Sequence, residues 1–516
     1  MRRLVQNGMR ALKAADLQAA ADFCRRALGE MPDMPGAHYL AALIALESAD
    51  FRVAAKALRK TVALRDDHSA AWAQLARVYL MTGEFVKAEG CLENAVNTER
   101  GRGAVADLIG TAFRLAGNLE ASRHWHERAV ASEPDQVSFL INLANVCLYF
   151  GELQEAEDHL NRCLELQPSN PQVHWLLSRT AKVENVWHIE AMQDLVAEQR
   201  DPRGLAYLHY AIGKEAEDIE SWQLAVDAFL QGAKARRAAV DYDEQNEIEV
   251  FEAASELFTA EWLGQQEPGP NVAAPIFIVG EPRSGTTLLD RMLAAHSAVN
   301  SAGELRHFGF ATRKAAGVDE SRQFSPELLR AAAAADAAQI GVEYLRSTEN
   351  LIGSAAHLID KLPVNYLYLP LILAALPNAK ILHMRRDPMD ACFAMYKQLF
   401  GDAYLYSYDQ QEIARHYDRY SKLMATWRER FPGRFMDVDY EDLVADTEET
   451  LRSVFEHVGL SWQRQCMDFH TAPGVVTTAS AAQVREMPHQ RSIGRWRRYE
   501  KYLAPMREVL EAEGLV

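Results

Sequence analysis

The chain lacks the features that would tie it to an oxidising compartment or a membrane. Its 516 residues include six cysteines, none paired in a C-x-x-C motif, so the sequence predicts neither a zinc site nor a disulfide framework. No run approaches the ~18 apolar residues of a membrane-spanning helix, and the first residues contain no apolar stretch typical of a secretory signal. We therefore expect a cytoplasmic protein without a membrane span.

Basic residues are fewer than acidic residues. The chain has 55 Lys and Arg against 72 Asp and Glu, a net charge of −17. General binding to nucleic acid needs a basic surface and is not expected here. Any anionic ligand must therefore be held in a local basic pocket. Because the chain is longer than one hydrophobic core usually serves, we expect about two or three domains.

The first third of the sequence is an internal repeat. Apolar residues recur every 34 positions at Leu17, Phe51, Phe85, Leu119 and Leu153, each after a short turn. Small residues recur nine positions before each of them, at Gly8, Ala42, Ala76, Gly110 and Ala144, and three positions after, at Ala20, Ala54, Ala88, Ser122 and Ala156. This period and spacing are typical of tetratricopeptide (TPR) repeats, in which neighbouring helix pairs bury a shared face. We predict five repeats within residues 1–170.

A helical connector is predicted over residues 171–270. Gly213, Trp222, Ala225 and Gly232 restore the repeat spacing once, which indicates a divergent TPR-like repeat. Glu267-Pro-Gly-Pro-Asn271 is the expected boundary, because Pro and Gly break helices and mark linkers.

From this boundary to the end, residues 271–516, short apolar runs alternate with helical periodicity. The predicted strands are 276–279, 357–359, 380–383 and 434–438, and the predicted helices are 288–295, 328–345, 389–399 and 411–430. Alternation of this kind predicts a parallel, three-layer α/β domain that binds ligands at the carboxyl ends of its strands.

The most informative segment is Pro275-Ile-Phe-Ile-Val-Gly-Glu-Pro-Arg-Ser-Gly-Thr-Thr-Leu-Leu289. Gly280 and Gly285 have the spacing of a nucleotide-binding P-loop, but Thr286 stands where that loop has its Lys. The loop cation is instead Arg283. Such a loop can still hold a phosphate-like group with backbone N–H donors and a helix N-terminus.

The segment P-R-S-G-T-T-L, continued through Ala295-His296 to Gly303-Glu304, resembles the sulfotransferases and among them the tyrosylprotein sulfotransferases. The resemblance runs from about 275 to 502, and with the repeats it resembles a bacterial TPR-sulfotransferase architecture. It implies an all-α TPR superhelix followed by an α/β P-loop-like, parallel-sheet sulfotransferase domain. The implied donor is 3′-phosphoadenosine 5′-phosphosulfate (PAPS), with adenosine 3′,5′-bisphosphate as product and no metal.

The same resemblance implies a set of site residues. Catalytic roles fall on Glu304 as base, and on Arg283, Lys361 and Ser480 near the sulfonate; donor-binding roles fall on Arg283, Ser284, Gly285, Thr286, Thr287, Leu288, Arg386, Tyr440, Ser480 and Arg495. Asp360-Lys361-Leu-Pro363 carries the family's K-x-P lysine, Arg386 its 3′-phosphate arginine and Tyr440 its Y-E-x-L tyrosine. Ser480 lies in S-x-x-Q-V, and Arg495 in Ser-Ile-Gly-Arg-Trp replaces the Lys of S-K-W.

The sequence departs from the family at two positions of the 3′-phosphate segment. Ala394 and Gln398 stand where the family has Ser and, in the tyrosylprotein branch, a basic residue; Lys397 or Arg385 are candidates to compensate. Each assignment has a structural alternative: Glu304 as a turn residue, Arg386 paired with Asp387 or Asp390, and Arg491, Arg495, Arg497 and Arg498 as a solvated face.

We therefore expect a PAPS-dependent sulfotransferase that modifies a hydroxyl, with protein tyrosine as leading acceptor because TPR grooves bind peptide segments. A small-molecule or glycan acceptor stays open. Two further classes of protein also stay open: a nucleotide kinase with a degenerate P-loop, in which Asp360 would hold Mg²⁺, and a TPR scaffold with an inactive transferase domain.

Overall fold

The computed structural model describes residues 2–271, 275–319, 322–471, 475–476 and 483–516. The chain divides into two compact units, Met1–Cys147 and Leu148–Val516. In the part of the chain that the structure describes, no helix combines the length and the apolarity that a membrane span requires.

The first unit consists of paired antiparallel helices. They are α1 Arg2–Lys13, α2 Leu17–Glu30, α3 Pro35–Glu47, α4 Phe51–Leu64, α5 Ser69–Met81, α6 Phe85–Thr98, α7 Gly103–Leu115, α8 Leu119–Ser132 and α9 Val137–Phe150, which crosses the boundary at residue 147. The apolar residues of the 34-residue period each begin a helix. Asp16, Asp50 and Asn118 cap three of these helices, each accepting a bond from the third backbone N–H that follows. The predicted TPR fold is confirmed.

The small residues of the repeat lie where helices cross. Gly110 is buried on α7, and a Cβ there would come within 2.9 Å of the His126 ring on α8. Ala42, Ala76 and Ala144 have no exposed surface at the corresponding positions. Only small side chains allow the helices of a pair to approach this closely.

The second unit begins with helices that continue from the repeats. They are α10 Leu153–Leu166, α11 Pro171–Leu177, α12 Trp187–Glu198, α13 Pro202–Asp218, α14 Trp222–Arg237, α15 Glu244–Leu257 and α16 Ala260–Gly264. Gly213 lies on α13 and Trp222 begins α14, and the interpretation of this pair as a divergent TPR-like repeat stays a prediction. A Cβ on Gly213 would come within 2.5 Å of the Phe229 ring, so the pair is closely packed.

These helices share a hydrophobic core with the sheet that follows. Tyr210, Phe229 and Phe251 of the connector belong to the same buried cluster as Phe277 and Trp427. Compactness therefore groups the connector with the sheet. The division into residues 1–170, 171–270 and 271–516 follows repeats and motifs and stays a prediction, since the compact units divide within α9 instead.

A five-stranded parallel sheet forms the centre of the second unit. Its strands are β1 Ile276–Gly280, β2 Val299–Ser301, β3 His357–Asp360, β4 Lys380–Arg385 and β5 Met436–Asp439, in the order β2-β3-β1-β4-β5. Ile276 and Ile278 face one core, and Phe277 and Val279 face the core shared with the connector. Burial on both faces is what a parallel sheet covered by helices requires. The α/β prediction is confirmed.

The helices around the sheet are α17 Thr286–Ala294, α18 His307–Ala316, α19 Pro326–Ala334, α20 Ala337–Ile352, α21 Leu369–Ala375, α22 Pro388–Tyr396, α23 Gln410–Arg430, α24 Tyr440–Ala445, α25 Thr447–Val458 and α26 Ala504–Ala512. Short 3₁₀ segments cover Pro363–Tyr368, Leu405–Tyr408, Arg464–Asp468, Gln483–Arg485, Gln490–Ser492 and Arg495–Tyr502.

Two sequence expectations of this region were wrong. The single helix expected over 328–345 is the pair α19 and α20, because Asp336 caps a new helix by accepting from the N–H groups of Ala338 and Gln339. Strand β2 was not predicted, since its three residues, Val-Asn-Ser, form no apolar run.

Candidate active site

Residues at the carboxyl ends of all five strands form the candidate site. Arg283 follows β1, Glu304 follows β2, Lys361 follows β3, Arg386 follows β4 and Tyr440 follows β5. Strand β1 lies between β3 and β4, where the strand order reverses direction, and ligands of open α/β sheets bind at such switch points.

The loop after β1 has an unusual backbone. Gly280 and Gly285 have positive φ angles of 142° and 107°, and a Cβ on Gly285 would come within 2.7 Å of the Tyr440 ring. Glycine at both positions avoids the steric cost that another residue would meet. Arg283 also has a positive φ, 67°, which is uncommon for a residue with a side chain and costs free energy. The loop therefore holds Arg283 in a backbone conformation that residues with a side chain rarely adopt.

A buried ion network holds this loop from behind. Glu281 is 1% exposed and accepts hydrogen bonds from Tyr406, at 3.3 Å, and from His416, at 3.2 Å. The other ring nitrogen of His416 lies 2.9 Å from Glu247 of α15. Burial lowers the pKa of His416, but the two carboxylates outweigh burial and raise it to about 9, so the ring is protonated at neutral pH.

The loop ends at the start of α17, where two threonine hydroxyl groups lie. Thr286 and Thr287 are its first residues and are largely buried. Burial, and then the neighbouring charge of Arg386, lower the pKa of Arg283 to about 10, which leaves the guanidinium charged at neutral pH. A helix N-terminus beside a buried cation favours an anionic ligand.

A first cavity, of about 180 Å³, opens on this loop and is named the donor cavity, because it meets the residues that the sequence predicts to bind a donor. It is lined by Arg283, Gly285, Thr286, Thr287, Leu288, Arg386, Asp390, Phe393, Ala394, Lys397, Tyr440, Val444, Val484, Glu486, Met487, Pro488, His489, Arg491, Ser492 and Arg495. Of the sequence-derived donor residues, Ser284 does not line it and is 1% exposed, while Ser480 lies outside the described residues.

Arg386 joins three parts of the cavity wall. Its guanidinium donates to the carbonyl oxygens of Arg283, at 2.9 Å, and Ser492, at 2.7 Å, and lies 4.7 Å from the centre of the Tyr440 ring. Among the described residues it forms no ion pair with Asp387 or Asp390. Arg386 nevertheless interacts electrostatically with Asp390, because its charge opposes the burial that raises the pKa of the Asp390 carboxyl.

The two positions that depart from the family pattern, Ala394 and Gln398, lie in different cavities. Ala394 lines the donor cavity, whereas Gln398 lines a different one. Of the two candidates to compensate, Lys397 lines the donor cavity, and Arg385 instead forms an ion pair of 2.7 Å with Asp439.

The arginines near the C-terminus do not act as one surface face. Arg491, Arg497 and Arg498 are exposed, whereas Arg495 is 31% exposed, lines the donor cavity and contacts Glu217 at 2.8 Å. Arg491 also lines the cavity and contacts Glu486. The solvated-face interpretation therefore fits Arg497 and Arg498 alone.

A second cavity, of about 350 Å³, meets the same loop and is named the acceptor cavity, because Glu304, the base that the sequence predicts, lines it. It is lined by Tyr149, Trp175, Arg179, Pro282, Arg283, Thr286, Thr287, Glu304, Pro363, Gln398, Leu399, Phe400, Gly401, Ala403 and Tyr404. The two cavities share Arg283, Thr286 and Thr287. A group bound at these three residues is thus accessible from both.

Glu304 and Lys361 form an ion pair at the acceptor cavity. The Lys361 ammonium lies 2.6 Å from a Glu304 carboxylate oxygen. The Glu304 side chain is 38% exposed and lines the cavity, whereas the Lys361 side chain is 1% exposed and lines neither cavity. Lys361 therefore does not contact the cavity itself and acts on it by its ion pair with Glu304.

Asp360, the candidate Mg²⁺ ligand of the kinase alternative, faces the core. It is fully buried, and it accepts from the Tyr344 hydroxyl and the Asn365 amide, each at 3.3 Å. Burial raises the pKa of this carboxyl to about 8, which favours the neutral form. A neutral carboxyl that lines neither cavity is a poor cation ligand.

Several residues of the site were not anticipated. Trp175 and Arg179 follow the last repeat and line the acceptor cavity, with the Arg179 guanidinium 4.9 Å from the Trp175 ring centre. Asp390 accepts from the backbone N–H groups of Gly494 and Trp496 and so holds the cavity wall near Arg495. No local motif marks these residues, because each acts across a long sequence separation.

Comparison with known proteins finds family matches for separate segments of the chain. Residues 275–464 match the model described as “Sulfotransferase family”, and residues 45–110 and 108–171 match two tetratricopeptide repeat models. The chain therefore carries a sulfotransferase-family domain after TPR repeats. Parts of the donor cavity wall, from Val484 to Arg495, lie beyond the matched range.

Relatives with a similar sequence include three that illustrate the range of descriptions. An uncharacterized protein of Aquifex aeolicus is 28% identical over 73% of this chain, and this chain spans only 51% of its length. A Caenorhabditis briggsae protein described as a “putative protein-tyrosine sulfotransferase” is 26% identical over 43% of this chain and 80% of its own length. The omega-hydroxy-beta-dihydromenaquinone-9 sulfotransferase of Mycobacterium bovis is 30% identical over 20% of this chain and 28% of its own.

Among solved structures, a thermophilic TPR protein of Thermus thermophilus matches 37% of this chain and 98% of its own, with a TM-score of 0.31 and 20% identity.

Proposed function

We propose that the protein transfers a sulfuryl group from PAPS to a hydroxyl group. The observation that carries the proposal is the pair of cavities that share Arg283, Thr286 and Thr287, one lined by cations and the other holding Glu304. A two-substrate transfer needs both reactants to reach one group from separate sites.

The donor cavity fits a nucleotide with phosphate groups at both ends. Arg283 and the first N–H groups of α17 would hold the 5′-phosphosulfate, and Arg386 and Arg495 the 3′-phosphate. Tyr440, whose ring carries the Arg386 guanidinium, would contact the nucleotide, as would Leu288. Ser284 would support the loop, and Ser480 keeps its proposed role near the sulfonate.

Glu304 is the proposed base. The acceptor hydroxyl gives its proton to the Glu304 carboxylate, the hydroxyl oxygen bonds to sulfur, and the sulfur–oxygen bond to the 5′-phosphate breaks to release adenosine 3′,5′-bisphosphate. Lys361, 2.6 Å from Glu304, would orient the carboxylate and then face the transferring group. Charge in this scheme is stabilised by side chains and the start of a helix, so it requires no metal.

The proposed acceptor is a tyrosine of a protein. Tyr149, Trp175, Phe400 and Tyr404 give the acceptor cavity aromatic walls, which suit a phenol ring. The TPR repeats are a recognised type of protein-binding module and would recruit the polypeptide that carries it. A cytoplasmic location accords with the six cysteines, which are buried, and stays part of the proposal.

The direct test uses the purified full-length chain with PAPS in EDTA. Proteins extracted from cells that lack the gene are added as acceptors. We expect release of adenosine 3′,5′-bisphosphate and the appearance of sulfotyrosine in these proteins, detected by mass spectrometry. Sulfonate on a lipid or glycan instead would move the acceptor to a small molecule. Consumption of ATP that requires Mg²⁺ would establish the kinase alternative, and donor binding without turnover the scaffold.

A further inference from the structure

A carboxylate of the helical connector contacts two cations of the donor cavity. Glu217, near the end of α13, lies 2.8 Å from Lys397 and 2.8 Å from Arg495, and it also accepts from the Tyr499 hydroxyl at 2.8 Å. The Glu217 side chain is 9% exposed and does not line the cavity. It therefore lies behind the two cations.

Both cations face the donor cavity. Lys397 follows α22, and Arg495 begins the last 3₁₀ segment. Arg386, another basic residue of the same wall, donates to backbone carbonyls and not to Glu217. The Lys397 position is notable because the neighbouring Ala394 lacks the hydroxyl that the family pattern provides there. Lys397 places a largely buried ammonium group on the same cavity wall as Ala394.

We propose that Glu217 positions Lys397 and Arg495 as a cation pair that binds the 3′-phosphate of the donor nucleotide. This inference rests on the proposed function, since it assumes a nucleotide with a 3′-phosphate. It assigns part of the donor site to the connector, which lies outside the matched sulfotransferase range of 275–464.

Electrostatics explain why a carboxylate is needed there. Two like charges at one wall repel each other, and burial penalises both. Burial, opposed by Glu217 and reinforced by Arg495 and Arg283, lowers the pKa of Lys397 to about 8. The Phe393 ring lies 5.4 Å from the Lys397 ammonium, and the Tyr499 hydroxyl bonds to Glu217. The other charged or titratable residues of this cavity wall are Arg386, Asp390, Tyr440, Glu486, His489 and Arg491.

Glu217 itself is a stable partner for this pair. Burial alone would raise the pKa of its carboxyl, but Lys397 and then Arg495 outweigh burial, and the pKa lies below its ordinary value. The carboxylate is therefore charged at neutral pH. Together the three groups carry one net positive charge, which is available to a phosphate.

The alternative is that Glu217 competes with the phosphate for the two cations. The two models differ in sign. If Glu217 positions the cations, removing its charge weakens binding of the 3′-phosphate. If it competes, the same change tightens binding.

The test is calorimetry on the full-length chain with two probes, adenosine 3′,5′-bisphosphate and adenosine 5′-monophosphate. For Glu217→Gln we expect the Kd of the bisphosphate to rise about tenfold, the effect of one charge-assisted contact, while the Kd of the monophosphate stays within about twofold. Lys397→Gln should act similarly. Asp227→Asn, an exposed carboxylate of the next helix bonded to Gln223, is the matched control and should change neither Kd.

A wild-type pH series makes the test independent of how the variants fold. Because Lys397 is charged below its pKa and neutral above it, the preference for the bisphosphate should fall as pH rises from 7 to 9 through about 8. In Glu217→Gln this fall should move to lower pH.

Unchanged or tighter bisphosphate binding in Glu217→Gln would overturn the positioning role. A pH-independent preference in the wild type would overturn the role of Lys397. If the wild type binds neither probe, the proposed function fails together with this inference, and the two failures are thus distinguishable.

Discussion

The two cavities that meet at Arg283 differ in their walls. The donor cavity presents Arg386, Lys397 and Arg495, whereas the acceptor cavity presents aromatic rings and the Glu304 carboxylate. This difference supports the proposed assignment of the reactants: an anionic nucleotide on one side, and on the other a hydroxyl whose proton must be removed. Under this proposal, two sites with different walls share one loop.

The cavities also have one property in common, since both use residues from the helices ahead of the sheet. Trp175 and Arg179 line the acceptor cavity, and Glu217 contacts two donor-cavity cations. The functional unit is therefore wider than the segment that matches the sulfotransferase family.

The largest expected effect comes from removing that shared part. A chain beginning near Gly269, at the boundary that the sequence suggests, should lose both nucleotide binding and a stable fold. It would expose the core that Phe251 and Phe258 share with the sheet, and would break the Arg237–Glu412 and Arg415–Glu244 ion pairs. Near-UV circular dichroism and calorimetry with adenosine 3′,5′-bisphosphate measure the two losses.

A chain beginning at residue 133, just ahead of α9, is the control for this deletion. It keeps all of the second unit and should bind the nucleotide like the full-length chain. Wild-type affinity in the chain that begins near Gly269 would show that the connector contributes nothing to the donor site.

Glu304→Gln should affect only the acceptor side. We expect kcat to fall by ~10²-fold or more, since general base catalysis contributes that much, while the Kd of PAPS stays near wild type. Phenols with a lower pKa should lose less, because they ionise with less help. Steady-state kinetics over a phenol series measure the effect. Wild-type turnover by Glu304→Gln would show that Glu304 is a structural turn residue and not the base.

The strand-end loop, the repeats and four of the five strands could be predicted because each depends on local pattern. The period of 34 and the small residues at helix crossings specify the first unit without any long-range information. The loop from Gly280 to Gly285 is equally local, since its spacing and its glycines are a property of a few residues.

What the sequence could not supply depends on distant contacts. Glu217 and Lys397 are separated by 180 positions, and neither belongs to a motif that names its partner. The break at Asp336 is a different case, because an Asp ahead of a helical run is a capping signal that could have been used. For Ser480, the role implied by the family stays a prediction.

A smaller effect should distinguish Arg386, which lines the donor cavity, from the adjacent Arg385, which does not. Arg386→Ala should weaken binding of adenosine 3′,5′-bisphosphate by about 1.5–3 kcal/mol, roughly 10- to 150-fold, as for loss of a charged hydrogen-bond partner. Arg385→Ala is the matched control: it removes an arginine that pairs with Asp439 and lines neither cavity. Calorimetry with both variants should show the loss for Arg386 alone, and an equal loss for Arg385→Ala would contradict the assignment.

The smallest expected effect tests the aromatic wall of the acceptor cavity. Trp175 is half-buried, with the Arg179 guanidinium over its ring, and an aromatic pair contributes about 0.5–1.5 kcal/mol beyond buried area. Trp175→Leu should therefore raise the KM of a tyrosine peptide roughly two- to twelvefold and leave the Kd of the donor unchanged. Trp187→Leu is the control, since that ring is 76% exposed and lines neither cavity. If the donor Kd of Trp175→Leu rises as much as its acceptor KM, the Trp175 ring supports the shared loop rather than the acceptor. That result would contradict the assignment of Trp175 to the acceptor cavity alone.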